Sequence, residues 1–185
     1  MGGDNMKTSV LGLAIAIAFA APTAAQERGV TYNCDTAADH YSELTFPTES
    51  SFRATGKVRL LSMAKSEEYA TIARLVVTND QDVPGPSHEG WAGFTFLNMA
   101  GLEDPVPGVL LATQREKGAK AEEETFGIAS DDEVSFELSY DGKQVDLQVD
   151  GYSATLPFTA HTPALRIVCS TGSFLIHDLV IEQQP

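Results

Sequence analysis

The chain of 185 residues contains 12 lysines and arginines against 26 aspartates and glutamates, which gives a formal net charge of −14 at pH 7. Binding to nucleic acids or to anionic membranes normally depends on patches of lysine and arginine, so this composition excludes both functions. The acidic residues are dispersed along the chain, which favours a solubilising or salt-adapted surface over one dedicated to cationic partners.

The first residues have the pattern of a secretory signal peptide. Lys7 is followed by an apolar run over residues 9–21 and then by small residues up to Ala25. This run is shorter than a membrane-spanning helix and ends in a cleavage-like sequence, so the pattern predicts export and cleavage after Ala25. We expect a signal peptide at residues 1–25 and one domain at residues 26–185, periplasmic or secreted, with no membrane span in the mature chain.

Short stretches of alternating apolar and polar residues, separated by turn residues, predict that the mature chain is built from β-strands. We place them at residues 42–46, 52–63, 70–78, 91–98, 109–115, 124–129, 134–140, 145–149, 152–156, 165–169 and 174–182. Residues 115–124 are predicted to form a solvated loop or hairpin, because Gly118 interrupts a polar stretch that has no apolar stripe. So many strands in one domain predict an all-β fold, an antiparallel two-sheet β-sandwich of the jelly-roll type.

Two Asp-Gly pairs interrupt the alternation between residues 134 and 158. Glycine readily adopts positive φ angles, and a two-residue turn with positive φ matches the twist of the strands that it joins. Asp141-Gly142 and Asp150-Gly151 are therefore predicted to form the two turns of a three-stranded meander.

The chain has two cysteines, Cys34 near the mature N-terminus and Cys169 near the C-terminus. An even pair in an exported chain is more often a structural disulfide than a metal or redox pair, which would normally lie close in sequence or beside histidines. Leu165, Ile167 and Cys169 share one face of their predicted strand, so the cysteine is expected to point into the core. We predict a disulfide between Cys34 and Cys169.

The meander and the last strand carry a resemblance to a known group of folds. Two strands separated by Asp-Gly, a second turn at Val149-Asp150-Gly151 and a final strand of sequence FLIHDLVI resemble the concanavalin A-like sandwich group, which includes laminin G-like domains. The resemblance implies a curved two-sheet jelly roll, first and last strands side by side, and recognition of a saccharide or protein ligand. Neither the Glu-x-Asp-x-Glu strand of its glucanases nor the metal loop of plant lectins occurs here, so no functional residue is carried over.

Oxygen ligands gather in the loop at residues 79–90. Asn79, Asp80 and Asp82 lie within four residues, and calcium prefers six to eight oxygen ligands. The same residue types are common in loops simply because they cap turns, and no known calcium spacing is completed. A calcium site at these three residues is therefore one interpretation beside a turn; no other cofactor is predicted.

Trp91 follows the same loop and is the only tryptophan of the chain. An aromatic ring at a loop edge, beside Asp82, His88 and Glu89, predicts a shallow saccharide or peptide site, since sugars present C–H patches that pack on aromatic faces. The alternative is that Trp91 packs in the core, as the alternating phenylalanines that follow it suggest.

The sequence contains no evident catalytic constellation. His177 and Asp178 are adjacent in a predicted strand and are therefore expected to face opposite sides.

We predict a non-catalytic module that binds a carbohydrate or a protein ligand. A structural subunit of a cell-envelope complex, with an exposed apolar patch, is one alternative. A polysaccharide hydrolase or lyase is another, and it requires two carboxylates or a Tyr-His pair in a groove. The oligomeric state is left open.

Overall fold

The computed structural model describes residues 29–79, 90–98, 108–116 and 119–184. This part of the chain forms twelve β-strands: β1 Val30–Asp35, β2 Tyr41–Pro47, β3 Phe52–Met63, β4 Thr71–Thr78, β5 Trp91–Asn98, β6 Val109–Arg115, β7 Glu122–Ile128, β8 Glu133–Tyr140, β9 Gln144–Val149, β10 Tyr152–Pro157, β11 Ala164–Ser170 and β12 Gly172–Gln183. Among these residues there is no helix long and apolar enough to cross a membrane.

The strands form two six-stranded antiparallel sheets. The first sheet has the order β1-β12-β3-β8-β9-β10, and the second sheet has the order β2-β11-β4-β5-β6-β7. The predicted all-β two-sheet sandwich is confirmed. The first and last strands, β1 and β12, lie side by side, as the resemblance implied.

Most strand bounds agree with the alternation in the sequence. The clearest differences are β1, which was not among the strands placed from the sequence, and the start of β7. The bounds of β3, β5 and β6 agree with those predicted, whereas β7 begins at Glu122, two residues before the predicted start. Glutamates are uncommon in strands, but here the backbone of Glu122 pairs with Gln114 on β6. The sheet ladder therefore extends into the polar segment that was predicted to be a solvated loop or hairpin, and the antiparallel pairing of β6 with β7 is that of a hairpin.

Apolar side chains from the facing sides of both sheets form the core. Phe94 on β5 packs against Phe136 on β8 with ring centroids 5.6 Å apart, and Phe96 on β5 packs against Phe174 on β12 at 6.2 Å. Because β5 belongs to the second sheet and its partners belong to the first, these aromatic pairs join the two layers. Pairs of this kind contribute roughly 0.5–1.5 kcal/mol beyond the area that they bury.

The predicted disulfide between Cys34 and Cys169 is present, with Cα atoms 6.2 Å apart. Cys34 lies on β1 and Cys169 on β11, so the bridge joins the first sheet to the second. Both cysteines are buried in the core, and Cys169 points inward together with Leu165 and Ile167, as the strand pattern predicted.

The two Asp-Gly pairs form different turns. Asp150 and Gly151 have φ angles of 50° and 86°, and they join the paired residues Val149 and Tyr152 in the predicted two-residue turn. At the other pair only the glycine has a positive φ, 93°. The Asp141 carboxylate accepts hydrogen bonds from the N–H groups of Lys143 and Gln144 at 2.8 and 2.9 Å, which places that turn one residue later than predicted.

Candidate functional site

The outer face of the second sheet, which points away from the first sheet, carries a cavity of about 480 Å³. Strand alternation sends one set of side chains into the core and the other set onto this face. We call it the outer-face cavity. It is lined by three aromatic residues, three arginines and a mixed remainder: Tyr41, Tyr69, Trp91, Arg74, Arg115, Arg166, Asp39, His40, Ile72, Val76, Ala121, Val168 and Ser170.

Arg74 crosses the sheet surface from β4 and is held at three points. Its Nε donates a hydrogen bond to Thr95 Oγ1 at 2.9 Å, and its Nη2 donates to Glu123 Oε1 at 2.9 Å. The guanidinium carbon lies 4.7 Å from the centroid of the Trp91 ring. Gly93 sits between Trp91 and Thr95 on this face and has no side chain, so the indole and the guanidinium can meet above it.

The charge of Arg74 is only partly compensated. Burial lowers the pKa of Arg74 from its usual value, and the nearby Glu123 carboxylate offsets that effect in part. A guanidinium in a protein remains protonated at all ordinary pH values. The lowered pKa therefore signals a positive charge that has lost more hydration than its partner replaces.

Arg166 adds a second buried guanidinium. It lies on β11, is 5% exposed, and its Nε donates a hydrogen bond to Thr45 Oγ1 on β2 at 3.4 Å. Arginine is rarely buried to this degree in proteins unless its charge is paired. Arg115 lies at the edge of the cavity, where its Nε donates to the backbone carbonyl of Ala119 at 2.9 Å.

Two exposed tyrosines form part of the cavity rim. Tyr41 is 53% exposed and Tyr69 is 51% exposed. A hydrogen bond from Tyr69 to the neighbouring Glu68 raises the pKa of the phenol, so this hydroxyl is protonated at neutral pH. A smaller cavity of about 290 Å³ shares Tyr69, Ile72, Arg74 and Ser170 with the first. The two cavities therefore adjoin on one face, with Arg74 in the wall between them.

Of the six ligand-binding and metal-binding residues predicted from the sequence, the structure describes two, Trp91 and Asn79. Trp91 lines the outer-face cavity but is only 9% exposed. Asn79 accepts a hydrogen bond from the backbone N–H of His161 and another, through its backbone carbonyl, from Thr162 Oγ1 at 2.8 Å. Four predicted residues lie outside the described residues: Asp80, Asp82, His88 and Glu89. Within the described ranges, no group of three or more His, Cys, Asp or Glu side chains could hold a metal ion, and the calcium interpretation stays a prediction.

His177 and Asp178 differ from the sequence expectation, because they contact each other. A bulge between His177 and Val180, with φ of 52° at Asp178, breaks the alternation of β12. His177 Nδ1 lies 3.2 Å from Asp178 Oδ2, and its Nε2 lies 3.0 Å from Glu133 Oε2 on β8. This cluster lies on the first sheet and ties β12 to β8 across the intervening strand β3.

Sequence reasoning missed the residues that give the outer-face cavity its charge and its rim. Arg74 and Arg166 each stand alone among apolar neighbours, in the stretches ARLVV and LRIV. A single arginine at an outward position of an otherwise apolar strand is the signal that would have marked this face. Nothing in the sequence distinguishes Tyr41 and Tyr69 from other loop and strand-end tyrosines.

The chain matches no family model and no curated protein, but its fold matches solved structures. The carbohydrate recognition domain of Emp47p has a TM-score of 0.51 at 12% identity, covering 86% of this chain and 90% of that chain. The carbohydrate binding module CBM66 from Bacillus subtilis has a TM-score of 0.51 at 10% identity, covering 84% and 95%. An alginate lyase from Alteromonas sp. 272 has a TM-score of 0.54 at 8% identity, covering 83% and 88%. The chain has the concanavalin A-like sandwich fold, as its last third suggested.

Proposed function

We propose that the protein binds a carbohydrate in the outer-face cavity. The observation that carries this proposal is the combination of exposed aromatic rings at the rim with polar side chains on the floor of one cavity. Sugars offer C–H patches to aromatic faces and hydroxyls to hydrogen-bonding groups, so they suit such a lining. The volume of about 480 Å³ lies within the range of small-ligand sites.

The structural neighbours support carbohydrate as the ligand class. Two of them are named for carbohydrate recognition or binding, and a third is named as an alginate lyase. A shared fold does not by itself transfer a function, since one fold hosts many. The support comes from the agreement between these names and a cavity whose lining suits a sugar.

We propose binding without catalysis as the first function. A glycoside hydrolase uses two carboxylates on either side of the scissile bond. The described lining of the cavity contributes one, Asp39, whose Oδ1 accepts a hydrogen bond from Ser66 Oγ. A polysaccharide lyase is the second candidate, because His40, Tyr41 and Tyr69 line the same cavity. His40 Nδ1 donates to the Ala38 carbonyl at 2.7 Å, which leaves Nε2 as the nitrogen open to a substrate.

Binding can be measured through Trp91, because the chain contains one tryptophan and that residue lines the cavity. A panel of oligosaccharides is titrated against the mature protein while its intrinsic fluorescence is recorded, and hits are confirmed by calorimetry. We expect Tyr69→Ala and Tyr41→Ala each to weaken a hit about threefold to tenfold, as expected for loss of one aromatic contact.

Tyr152→Ala is the matched control, since Tyr152 is a similarly exposed tyrosine on β10 of the first sheet. An equal loss of affinity in this variant, or a panel without hits, contradicts the proposal. Release of unsaturated products, followed by ultraviolet absorbance, would favour the lyase over the binding module.

A further inference from the structure

We propose that the glycan bound in the outer-face cavity is acidic, and that its carboxylate or sulfate group is held by Arg74 and Arg166, with Arg115 at the edge. This inference rests on the proposed function and specifies the ligand class. It follows from the charge distribution, the burial of Arg74 and Arg166, and the preorganisation of Arg74.

Positive charge is concentrated at this cavity in a chain that is otherwise strongly acidic. Three of the chain's 12 lysines and arginines line the outer-face cavity, while the whole chain carries a formal charge of −14. Asp39 is the one carboxylate residue among the described residues of the lining. A cleft with one sign of charge and low-dielectric walls focuses the field and attracts ligands of the opposite sign.

The two inner arginines sit in surroundings that strengthen their attraction for an anion. Arg166 is 5% exposed and the side chain of Arg74 is 24% exposed. Val76 and Val168 supply apolar surface between them, and Ile72 lies on the other side of Arg74. Electrostatic attraction is stronger in such low-dielectric surroundings than in water, and an anion beside Arg74 restores interactions that burial has removed from this side chain. The lowered pKa of Arg74, caused mainly by burial, agrees with this charge imbalance.

Arg74 is also preorganised for a ligand. Thr95, Glu123 and the Trp91 ring fix its direction before any ligand arrives. The two hydrogen bonds occupy two of the five N–H groups of the guanidinium, so donors remain for ligand oxygens. Glu123 lines the smaller cavity and not the outer-face cavity, which places the competing carboxylate on the far side of Arg74.

The test compares ligands that differ only in charge. A short oligouronate and its methyl ester are titrated against the mature protein by Trp91 fluorescence and calorimetry, beside a sulfated oligosaccharide, a neutral oligosaccharide and an acidic peptide. We expect the free acid to bind at least tenfold more tightly than its ester. A preference for the oligouronate over the sulfated sugar would identify the anion as a carboxylate, and the reverse preference would identify it as a sulfate.

Three outcomes overturn the inference. If the methyl ester binds as tightly as the acid, the ligand is a neutral glycan and the proposed function stands. If the acidic peptide binds as tightly as the oligouronate, the cavity recognises negative charge on a protein. If none of the sugars binds, the proposed function fails as well.

Substitutions locate the anion. Arg74→Gln is expected to weaken the acid tenfold to a hundredfold, as expected for loss of a charge-assisted hydrogen bond, and to change binding of the ester less than threefold. Arg115→Gln is a milder variant at the cavity edge that keeps the test usable if Arg74→Gln does not fold. Arg59→Gln is the matched control, because it removes the same charge from an exposed position of the first sheet. An equal loss in the control would contradict the assignment.

Discussion

The Trp91 ring and the Glu123 carboxylate both hold the Arg74 side chain, with contributions of comparable size. The Arg74–Glu123 ion pair is partly solvated, with side chains 24% and 39% exposed, and such a pair contributes on the order of 0.2–1 kcal/mol. Stacking of a guanidinium on a tryptophan ring contributes about 0.5–2 kcal/mol, more where the ring is shielded as here. Trp91 thus supports the cavity wall through Arg74, although little of its own surface is exposed.

Loss of the Glu123 charge is expected to destabilise the protein slightly. In Glu123→Gln the amide can still accept a hydrogen bond, but Arg74 keeps a partly buried charge without a carboxylate partner. We expect the free energy of unfolding to fall by about 0.5–1 kcal/mol, measured by urea denaturation at pH 7. Glu124→Gln is the control, because it makes the same charge change at the adjacent position of β7; equal losses in both variants would contradict the role of Glu123.

The residues of the site were harder to predict than the strands that carry them. Trp91 was placed correctly at the start of a strand, but its partner Arg74 comes from another strand, and only the register between β4 and β5 shows that they meet. The contact between His177 and Asp178 was also missed. It depends on a backbone bulge, and alternation alone predicts the opposite.

At the scale of elements, alternation predicted strands well wherever one face is apolar. The bounds of β3, β5 and β6 agree because each strand has a continuous apolar face toward the core. The strand predicted for β7 was too short, because the first residues of β7 are glutamates. Their strand conformation is imposed by pairing with β6 and not by their own preference. Such tertiary effects leave no local pattern in the sequence.

The two Asp-Gly turns show how one dipeptide can form two structures. Asp150 itself adopts a positive φ, and its Oδ2 accepts hydrogen bonds from the backbone N–H and the hydroxyl of Ser130, both at 2.8 Å. Asp141 instead uses its carboxylate to bind the two N–H groups that follow it. The two aspartate side chains therefore have different roles: Asp141 bonds to the backbone of its own turn, and Asp150 bonds to Ser130 outside its turn.

Acid is expected to remove the contribution of Asp141 to stability. Hydrogen bonds from the N–H groups of Lys143 and then Gln144 lower the pKa of Asp141 in the folded protein. The unfolded value is about 3.9, so this contribution is complete above about pH 4 and is lost as the pH falls through the lower folded value. Because Asp141 is exposed, we expect an effect below about 1 kcal/mol.

The measurement is the free energy of unfolding of the wild type and of Asp141→Asn between pH 7 and pH 2. The asparagine does not titrate, so the wild type should lose stability more steeply below pH 4 than the variant. Asp35→Asn, which removes a charge from the exposed end of β1, serves as the control. If the free energies of unfolding of the wild type and of Asp141→Asn fall equally below pH 4, the turn does not depend on the carboxylate charge.

At the scale of the whole molecule, the aromatic pairs and the disulfide join the two sheets in different ways. The aromatic pairs from β5 contact β8 and β12 within the core. The disulfide joins β1 to β11 and spans 135 residues of sequence. A bridge of this kind persists in oxidising compartments, which agrees with the proposal that the protein is exported.

The disulfide is expected to contribute a large part of the stability. Closing a loop of 135 residues corresponds to about 5 kcal/mol in the chain-entropy model, and removal of a native disulfide from a secreted domain typically costs about 2–5 kcal/mol. We therefore expect the Cys34→Ala, Cys169→Ala double variant to lose about 2–5 kcal/mol in urea denaturation, with the folded structure retained because the aromatic pairs remain. Wild-type protein reduced with a thiol is the matched control and should lose a similar amount. The intact mass of protein recovered from the exported fraction checks that the bridge is closed and that the chain starts at Gln26. An unchanged unfolding midpoint in both the variant and the reduced protein would mean that core packing alone joins the sheets.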